Sequence, residues 1–507
     1  MICDLSPDWG NNETISSIDE LHKATEKKVW KKGHIVLEGN NFNINGEESF
    51  AGEDVQSDDE QKPVVIKAKD IGGVTIKGNG SLVFKRPKNL ILCGIKFEYK
   101  TNKRSAMLFE EAKNCRITRC DFKINSTEDR FTYLTLKGGD SNCIAYNKFH
   151  DKEGTTGQFL MLSGVGEKED IKGCTRTVIE YNHFKNLTEV SDFSGGEAVF
   201  IGGSEVARVP FKSIVRYNLF ENCKGDPECI TNKSCCNIYH HNTFRGNMGS
   251  LSLRHGLGNI VDSNIFLPYT QGSNNGLSEN GIRLYGNKQR IVNNYFRCKR
   301  LSESDLLRPL VIGNGNWPHD PTPEDLENLS EHDPDMRLCL DPSSPDNPYN
   351  HAAYAQIKDS LFEKNVIIVD GENNDDDRTI VIWGNVRSKT IKVDHREIVC
   401  PRDFRPKSSE FRKNIIIAKS GTMFKIRDGA TVDDNKFSSN KLHKEDGGSV
   451  DIGNMPDDGI SHDAPTTEER APRDALEESD VGPFSERSDQ GHCSREELSS
   501  LVGELCS

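Results

Sequence analysis

Short apolar runs closed by Gly, Asn or Lys recur near the start of the chain. They include HIVLEG (34–39), PVVIKAK (63–69), GVTIKG (73–78) and NLILCGIKFE (89–98). Runs of this length that are rich in β-branched residues and bounded by turn residues are typical of β-strands. No helical spacing separates them, so these strands are predicted to follow one another directly.

One segment ahead of these strands has a helical pattern. Residues 15–30 place Ile18, Leu21 and Ala24 at helical spacing, with acidic residues early. The pattern predicts one short amphipathic helix. We expect this helix to cover the N-terminal end of the strand array, because an open end would expose unpaired strand edges.

An Asn-x-Phe step recurs through the rest of the chain. The spacings between successive clear copies are 35, 36, 24, 22 and 30 residues. The clear copies are Asn147-Lys148-Phe149, Asn182-His183-Phe184, Asn218-Leu219-Phe220, Asn242-Thr243-Phe244, Asn264-Ile265-Phe266 and Asn294-Tyr295-Phe296. The weaker copies are Cys120-Asp121-Phe122, Asn365-Val366-Ile367 and Asn414-Ile415-Ile416, and Asn435-Lys436-Phe437 closes the series.

A base period of about 22–26 residues with insertions indicates an all-β chain wound as a right-handed parallel β-helix. Phe is expected to stack on Phe inside the tube. Asn is expected to turn the corner in the left-handed region and to bond its stacked neighbours.

Composition divides the chain further. Residues 301–358, rich in Pro, Asp, Asn and Ser, predict a long loop insertion on the helix wall. The final 441–507 are acidic, rich in Pro and Gly and poor in aromatic residues, which predicts a disordered tail. The predicted units are an extension (1–14), a β-helix domain (15–440) and this tail.

Charge and hydropathy exclude several functions. The net charge of -14 argues against a nucleic-acid partner. The mean hydropathy is -0.65, and no apolar run reaches the roughly 18 residues that a membrane span needs, so no membrane partner is expected. The 15 cysteines contain no CxxC pair and no zinc-like spacing, and the first residues lack the basic and apolar regions of a secretory signal. The oligomeric state stays open.

Residues 225–256 hold the most suggestive chemistry. Asp226 and Glu228 are two residues apart, and a strand projects such a pair to one face, so they can converge on one cation. Lys233 and Arg254 are 21 residues apart, about one coil, so they are expected on adjacent coils. Two carboxylates and two cations this close would perturb one another's pKa values.

Four stretches carry a resemblance to a known family. Residues 15–440 resemble polysaccharide lyase family six, the alginate lyase and chondroitinase-B family. The stretches are NKFHDKEGTTGQFLML (147–162), GGEAVFIGGS (195–204), the block 218–256 that ends in LSLRHG, and NGIRLYGNKQRIVNNYF (280–296). The resemblance implies a secreted enzyme that cleaves an anionic polysaccharide.

The resemblance also implies residue roles. It makes Lys233 the Brønsted base and Arg254 the acid or charge stabiliser, and it implies a calcium ion held by the pair Asp226 and Glu228. Asp226 stands where the family more often has Glu. The family's third calcium ligand is an Asn that is unmatched here, because residues 194–196 are Ser-Gly-Gly, so Glu197 is the further candidate metal ligand.

The implied reaction is consistent with these residue types. β-Elimination removes the proton at C5 of a uronate, which an ionised neighbouring carboxylate hardly acidifies, and a bound Ca²⁺ would neutralise that charge. A lysine beside Arg⁺ and Ca²⁺ can be neutral and act as base, whereas Arg254 is a poor acid and a good charge clamp. Arg283 could bind a substrate carboxylate or sulfate bidentately, and His255 could contact a sugar.

Other interpretations stay open at this point. Alginate is the leading substrate, and dermatan sulfate, cleaved by a chondroitinase-B-type lyase, is the alternative. A non-catalytic carbohydrate-binding β-helix would not need Lys233 and Arg254, and a β-helical glycoside hydrolase would need paired acids instead. Taken singly, the Asp226–Glu228 pair could be a solvated turn, Lys233 a surface lysine, and His255 a wall residue.

Overall fold

The computed structural model describes residues 10–153, 156–166, 171–188, 195–268, 281–298, 309–313, 354–370, 378–382, 389–393, 396–400, 406–419, 422–426, 435–445, 460–470 and 475–483. Short parallel strands dominate these residues and stack coil upon coil, which confirms a parallel β-helix. Among them, no helix combines the length and the apolar character needed to cross a membrane.

Three ladders of parallel strands run along the coils. The first ladder is a sheet of 14 strands. Its strands are Glu13–Ser17, Ile35–Asn41, Val64–Ala68, Leu90–Cys93, Arg116–Thr118, Cys143–Ala145, Val178–Glu180, Ile214–Arg216, Ile238–His240, Ile260–Asp262, Arg290–Val292, Leu361–Glu363, Glu410–Arg412 and Lys436–Ser438.

The second and third ladders share the long strand Val74–Lys85 and so form one sheet of 26 strands. The second ladder continues with Ile95–Phe97, Asp121–Phe122, Lys148–Lys152, His183–Leu187, Leu219–Cys223, Thr243–Arg245, Ile265–Leu267, Tyr295–Cys298, Val366–Val369, Ile415–Ala418, Asn440–Lys444 and Ile460–Ser461. The third contains Asn43–Phe50, Lys100–Thr101, Ser105–Glu110, Asn125–Ser126, Thr132–Lys137, Leu160–Ser163, Val199–Ile201, Glu228–Asn232, Ser250–Leu253, Ile282–Leu284, Leu310–Ile312, Arg378–Ile382 and Thr422–Ile426.

A few elements lie outside the ladders. An antiparallel hairpin, Lys389–Val393 with Arg396–Cys400, falls within a late coil and was not predicted. The α-helices are α1 (Ile18–Glu26) and α2 (Thr467–Arg470), and the 3₁₀ turns are Val29–Lys31, Gly52–Asp54, Ser204–Val206 and Glu478–Asp480.

The phenylalanines of the repeat stack inside the tube, as predicted. From Phe97 to Phe296, each ring lies on the ring of the next coil with centroid distances of 4.5 to 5.1 Å. Offset stacking of this kind adds to the free energy gained by burying each ring. The weaker copies continue the column with Ile367 and Ile416, which lie in register with Phe296.

The asparagines of the repeat form a buried hydrogen-bonded ladder. In each coil the Oδ1 of one Asn accepts from the backbone N–H and the Nδ2 of the Asn one coil earlier, as Asn242 does from Asn218 at 3.0 Å. The ladder runs from Asn147 to Asn440. It satisfies backbone groups at a corner where no strand pairing is available.

Two details of the repeat differ from expectation. The residue in the left-handed region is the one before the Asn, for example Tyr181 with φ of 53°. The preceding residue therefore makes the turn, and the Asn side chain hydrogen-bonds the backbone at the corner. The ladder also ends at Asn440 and not at Asn435. Asn435 accepts instead from the backbone of Ser409, at another corner of the coil.

The N-terminal helix forms where the sequence predicts it and packs against the first coils. Ile18, Leu21 and Ala24 are its buried face. Ser17 caps it by accepting from the backbone N–H of Glu20, so the helix begins at the end of the first strand. Packed there, it covers the open end of the tube.

The predicted tail and insertion need correction. The prediction of disorder over 441–507 is wrong for 441–445, 460–470 and 475–483, because these segments pair with or pack on the second ladder. Leu476 and Val481 are buried against Leu219, which supplies the apolar burial that composition did not reveal. The predicted insertion 301–358 contains the strand Leu310–Ile312, which pairs with the preceding coil. Apart from 309–313 and 354–358, this insertion lies outside the described residues.

Candidate active site

The outward face of the third ladder gathers the predicted residues. Asn232 pairs with Leu253 across neighbouring strands, and Lys233 and Arg254 directly follow these two residues. They therefore lie on adjacent coils at the same strand end, as their spacing predicts. Leu253 pairs in turn with Leu284, so the next coil presents Tyr285 at this position.

Lys233 lies half-buried in a pocket with few polar partners. Its Nζ is 3.5 Å from Oγ of Ser204 and 5.2 Å from the centroid of the Phe200 ring. Burial and the nearby positive charge of Arg254 lower the pKa of Lys233, against the opposing effect of Glu228. A lowered pKa increases the neutral fraction, the form that can accept a proton.

Arg254 is held between a carboxylate and a phenol. Its Nε donates to Oη of Tyr354 at 2.9 Å, and its Nη1 lies 3.5 Å from Oε2 of Glu228. Burial alone would lower the pKa of Arg254, but Glu228 and Tyr354 outweigh it and raise that pKa. Arg254 therefore stays a permanent cation.

Glu228 is the hub of this cationic part of the site. Its Oε2 accepts from Oγ1 of Thr231 at 2.6 Å, and its Oε1 accepts from Oγ of Ser252 at 3.0 Å. Nη1 of Arg283 adds a contact at 3.3 Å to Oε1, beside that of Arg254 to Oε2. A buried carboxylate with two hydroxyls and two guanidiniums is well compensated.

Asp226 and Glu197 have a different environment. Burial, Glu197 and Glu228 raise the pKa of Asp226 to about 7, although two backbone N–H groups, of Gly195 and Glu228, donate to it. Burial, and to a lesser extent Glu228, also raise the pKa of Glu197, despite a 2.6 Å hydrogen bond from Nε2 of Gln158. Mutual repulsion of buried carboxylates is what a bound cation would relieve.

Another buried cation lies near this acidic part. Lys152 is on the second ladder, and its Nζ donates to the backbone carbonyl of Thr156 at 2.8 Å. Burial and the positive charge of Arg130 lower the pKa of Lys152 to about 7, while Glu197 acts in the opposite direction. The sequence analysis did not single out this residue, although it lies in the stretch 147–162 that carries the family resemblance.

The oxygen donors suit a hard cation, but they are not gathered around one point. Within the described residues, no three Asp, Glu, His or Cys side chains form a group that could hold a metal ion. Asp226 and Glu197 have oxygen chemistry that calcium prefers, whereas both oxygens of Glu228 already accept hydrogen bonds from other side chains. The calcium site thus stays a prediction.

Three aromatic rings stand beside Arg254. The ring of Tyr354 stacks on that of Tyr285 with centroids 4.2 Å apart and on that of His255 at 5.5 Å. Oη of Tyr285 accepts from Nη2 of Arg283 at 3.2 Å. The stack fixes the orientation of Tyr354 relative to the coils.

The predicted site residues differ in how far their side chains are exposed to solvent. Lys233 and Arg254 are partly open, whereas His255 is only 4 % exposed behind the tyrosine stack. Arg283 is directed at Glu228 and Tyr285, so its predicted contact with substrate remains a prediction.

Sequence reasoning missed the tyrosines. Tyr285 stands in GIRLYG and directly follows Leu284, as Arg254 directly follows Leu253. The pairing of these two leucines on successive coils places Tyr285 beside Arg254. Tyr354 lies in the predicted loop, which carries no periodic signal.

Comparison with known proteins identifies the family. Residues 16–316 match the family described as chondroitinase B. The chain belongs to this family. The match covers more than half of the chain and includes the predicted site. The comparison with curated protein sequences gives no match.

Solved structures share the fold. The family-six alginate lyase AlyGC superposes with a TM-score of 0.66 at 20% identity over 90% of this chain, which spans only 54% of that protein's length. A mannuronic-acid-specific family-six lyase from human gut microbiota gives 0.61 at 18% identity, over 98% of this chain and 99% of the other. A family-six alginate lyase in complex with a trisaccharide gives 0.64 at 19%, over 95% and 96%.

Proposed function

We propose that this protein is a polysaccharide lyase that cleaves a uronate-containing polysaccharide by β-elimination. The observation that carries the proposal is the pairing of a half-buried lysine of lowered pKa, Lys233, with a permanent cation, Arg254, on adjacent coils. Family membership supports the same reaction class.

Lys233 is the proposed base. Its pocket of Phe200 and Ser204 disfavours the ammonium form, and Arg254 disfavours it further. The neutral amine removes the C5 proton of the uronate, and the electron pair released forms the double bond between C4 and C5. The bond from C4 to O4 breaks at the same time, and the leaving oxygen keeps its electron pair and takes up a proton. A general base at this step raises the rate of the reaction by about 10²–10⁴-fold.

Arg254 is the proposed electrostatic partner. One edge of its guanidinium is used by Tyr354 and Glu228, and no described residue accepts a hydrogen bond from its Nη2. That nitrogen can meet the substrate carboxylate or the charge that develops in the transition state.

Alginate is the proposed substrate. Several solved structures of similar fold are alginate lyases, including one in complex with a trisaccharide and one in complex with a ligand named G6. Dermatan sulfate is the second candidate, because the matching family is described as chondroitinase B.

Calcium is proposed as a cofactor that Asp226 and Glu197 would hold. Beside burial, the charge of Glu197 raises the pKa of Asp226, and the charge of Glu228 raises the pKa of both carboxyls, a repulsion that a bound cation would relieve. When bound, a calcium ion would neutralise the substrate carboxylate and so make the C5 proton more acidic.

The deciding experiment incubates the protein with alginate and, separately, with dermatan sulfate, and follows the ultraviolet absorbance of the unsaturated product. Absorbance with one polymer supports the lyase and names its substrate. New reducing ends without absorbance would indicate a hydrolase. Binding without either product would indicate a carbohydrate-binding protein.

A further inference from the structure

Two free thiols lie side by side inside the coil that carries Asp226. Cys223 ends the second-ladder strand Leu219–Cys223, and Cys229 lies in the next strand, Glu228–Asn232 of the third ladder. Both cysteines belong to the hydrophobic core, with 1% and 2% exposure, and neither is in a disulfide. A side-chain hydrogen bond joins the two thiols, so their sulfur atoms are in contact. The proposed reaction uses neither of them.

The neighbouring coils hold both cysteines in place. The backbone N–H of Cys223 donates to Oδ1 of Asn247 at 2.8 Å, and its carbonyl accepts from the N–H of Met248 at 3.0 Å. The carbonyl of Cys229 accepts from the backbone N–H of Ala198 at 2.9 Å. Because both main chains are fixed in this way, the two side chains meet without a rearrangement of the coils.

Other buried cysteines have different surroundings. Cys115 and Cys174 are buried as well, but their sulfur atoms contact backbone carbonyl oxygens at 3.1 to 3.3 Å. A thiol that faces a carbonyl has no partner with which to form a covalent bond. Cys236 is already disulfide-bonded, so this chain forms disulfides.

We propose that Cys223 and Cys229 are a disulfide-forming pair, oxidised by a small-molecule disulfide while the chain folds. One protein thiolate attacks the small disulfide, which gives a mixed disulfide and releases one small thiol. The other protein thiolate then displaces the second small thiol and forms the bond between the two protein sulfur atoms. In total the protein loses two protons and two electrons, and the small disulfide gains them.

The exchange belongs to folding and not to the folded state. Burial and the contact with Cys223 raise the pKa of Cys229. A thiol that is both enclosed and protonated reacts slowly, because the thiolate is the nucleophile. The pair is therefore oxidised before the coils close over it, and the finished bond is then shielded from reductants in solution.

The bond would close a ring of residues 223–229 around the acidic segment. Asp226 and Glu228 lie within this ring, and Oδ1 of Asp226 accepts from the backbone N–H of Glu228 at 3.0 Å. A short covalent ring restricts the conformations of the unfolded chain and so stabilises the folded one. It would also hold the two carboxyl-bearing residues in one arrangement.

The first test is peptide mapping of the full-length protein after refolding in a mixture of oxidised and reduced small thiol or, separately, in reductant alone. Free thiols are alkylated in denaturant before digestion. Lys224 lies between the two cysteines, so trypsin separates them into the peptides 217–224 and 225–233, with one cysteine each. The oxidised sample should contain these peptides joined, two hydrogens lighter than their sum, whereas the reduced sample should contain each one alkylated.

Cys115 and Cys174 are the internal controls and should be alkylated in both samples. Two separate alkylated peptides after oxidative refolding would overturn the proposal. So would a bond from Cys223 or Cys229 to any other cysteine.

The second test measures whether the bond stabilises the fold. Cys229→Ala removes it, and Cys174→Ala is the matched control at another buried thiol. Refolding in reductant should lower the thermal midpoint of the wild type and of Cys174→Ala by about 2–4 °C more than that of Cys229→Ala. Loss of the Cys236 disulfide affects all three proteins alike.

Equal losses of midpoint in the three proteins would overturn the proposal. Neither test uses a polysaccharide, so a protein that gives no unsaturated product would overturn the lyase function and leave this inference standing.

Discussion

The inward side of the second ladder, with the corner before it, and the outward side of the third ladder follow opposite rules. Facing inward, the coils repeat: one Phe stacks on the next and one Asn bonds the next. Facing outward near the site, successive coils differ, with Lys233, Arg254 and Tyr285 at equivalent positions. Repetition satisfies the buried groups of each coil with those of its neighbours, whereas the outward face is free to vary and so can collect unlike charges.

The comparison also extends to stability. Inward residues have identical partners above and below, and each contributes to stability. Burial raises the pKa values of Asp226 and Glu197, and carboxylate repulsion adds to it, from Glu197 and Glu228 on Asp226 and from Glu228 on Glu197. Such strain is typical of functional sites, where groups are arranged for chemistry at the expense of stability.

The largest effect is expected from Lys233→Ala. Loss of the base should lower kcat by about 10³-fold, while the thermal midpoint stays near that of the wild type because the residue packs little of the core. In the wild type, the lowered pKa of Lys233 predicts that kcat rises with pH as this group loses its proton. Kinetics and thermal unfolding of the same preparation give both values.

Lys137→Ala is the matched control. Lys137 occupies the same strand end of the third ladder three coils earlier and pairs with Glu110 at 3.2 Å. Its replacement should leave kcat unchanged. Equal losses in both variants would show that this edge contributes through general charge and not through a specific base.

Asn218→Ala should lower stability and leave kcat unchanged, the reverse of what is expected for Lys233→Ala. Asn218 donates to Ile179, Arg216 and Asn242 and accepts from Asn182, so its loss leaves several buried groups unpaired. We expect a loss of about 3 kcal/mol in the free energy of unfolding, with kcat per folded molecule unchanged.

Denaturant unfolding measures this loss, and Asn102→Ala, at an exposed turn, is the control. A folded Asn218→Ala protein of normal stability would show that the ladder is dispensable, and the contrast between the two faces would fail.

A smaller effect is expected from Glu197→Gln. The raised pKa of Glu197 means that its protonated form stabilises the fold below the ordinary carboxyl pKa, and that this stability is lost as the pH rises through the folded value. The Gln side chain does not ionise, so the variant keeps this stability at high pH. In chelator, the variant should therefore be more stable than the wild type at pH 8 and match it at pH 4.

Glu228→Gln is the contrasting variant. Glu228 is paired with Arg254 and Arg283, so the amide should lower stability by about 1–3 kcal/mol at pH 8. If both amides shift stability in the same direction, the acidic and cationic parts of the site do not differ as described.

The smallest effect concerns calcium. Millimolar calcium should stabilise the wild type more than magnesium does, by about 1 kcal/mol for weak binding, which raises the thermal midpoint. It should also restore activity after chelation. Glu197→Gln should lose the rise in midpoint, and Asp226→Glu should enlarge it because the longer side chain reaches further. Full activity and an unchanged midpoint after exhaustive chelation would rule calcium out.

Sequence patterns alone predict the parallel coils, the N-terminal helix, the Phe and Asn columns and the adjacency of Lys233 and Arg254. All of these depend on periodicity, because a fixed repeat brings residues one coil apart into register. The same logic explains why the weak copies at Asn365 and Asn414 could be assigned.

Contacts made by segments without a sequence repeat are visible only in the folded chain. Tyr354 reaches Arg254 from 100 residues away. Leu476, from a segment that composition marks as disordered, packs against Leu219, and its backbone N–H donates to Oγ1 of Thr243. Local composition cannot show which distant surface a segment will cover. Likewise, the sequence places carboxylates on one face, but the surrounding donors and burial decide that Glu228 is paired with cations while Asp226 and Glu197 repel each other.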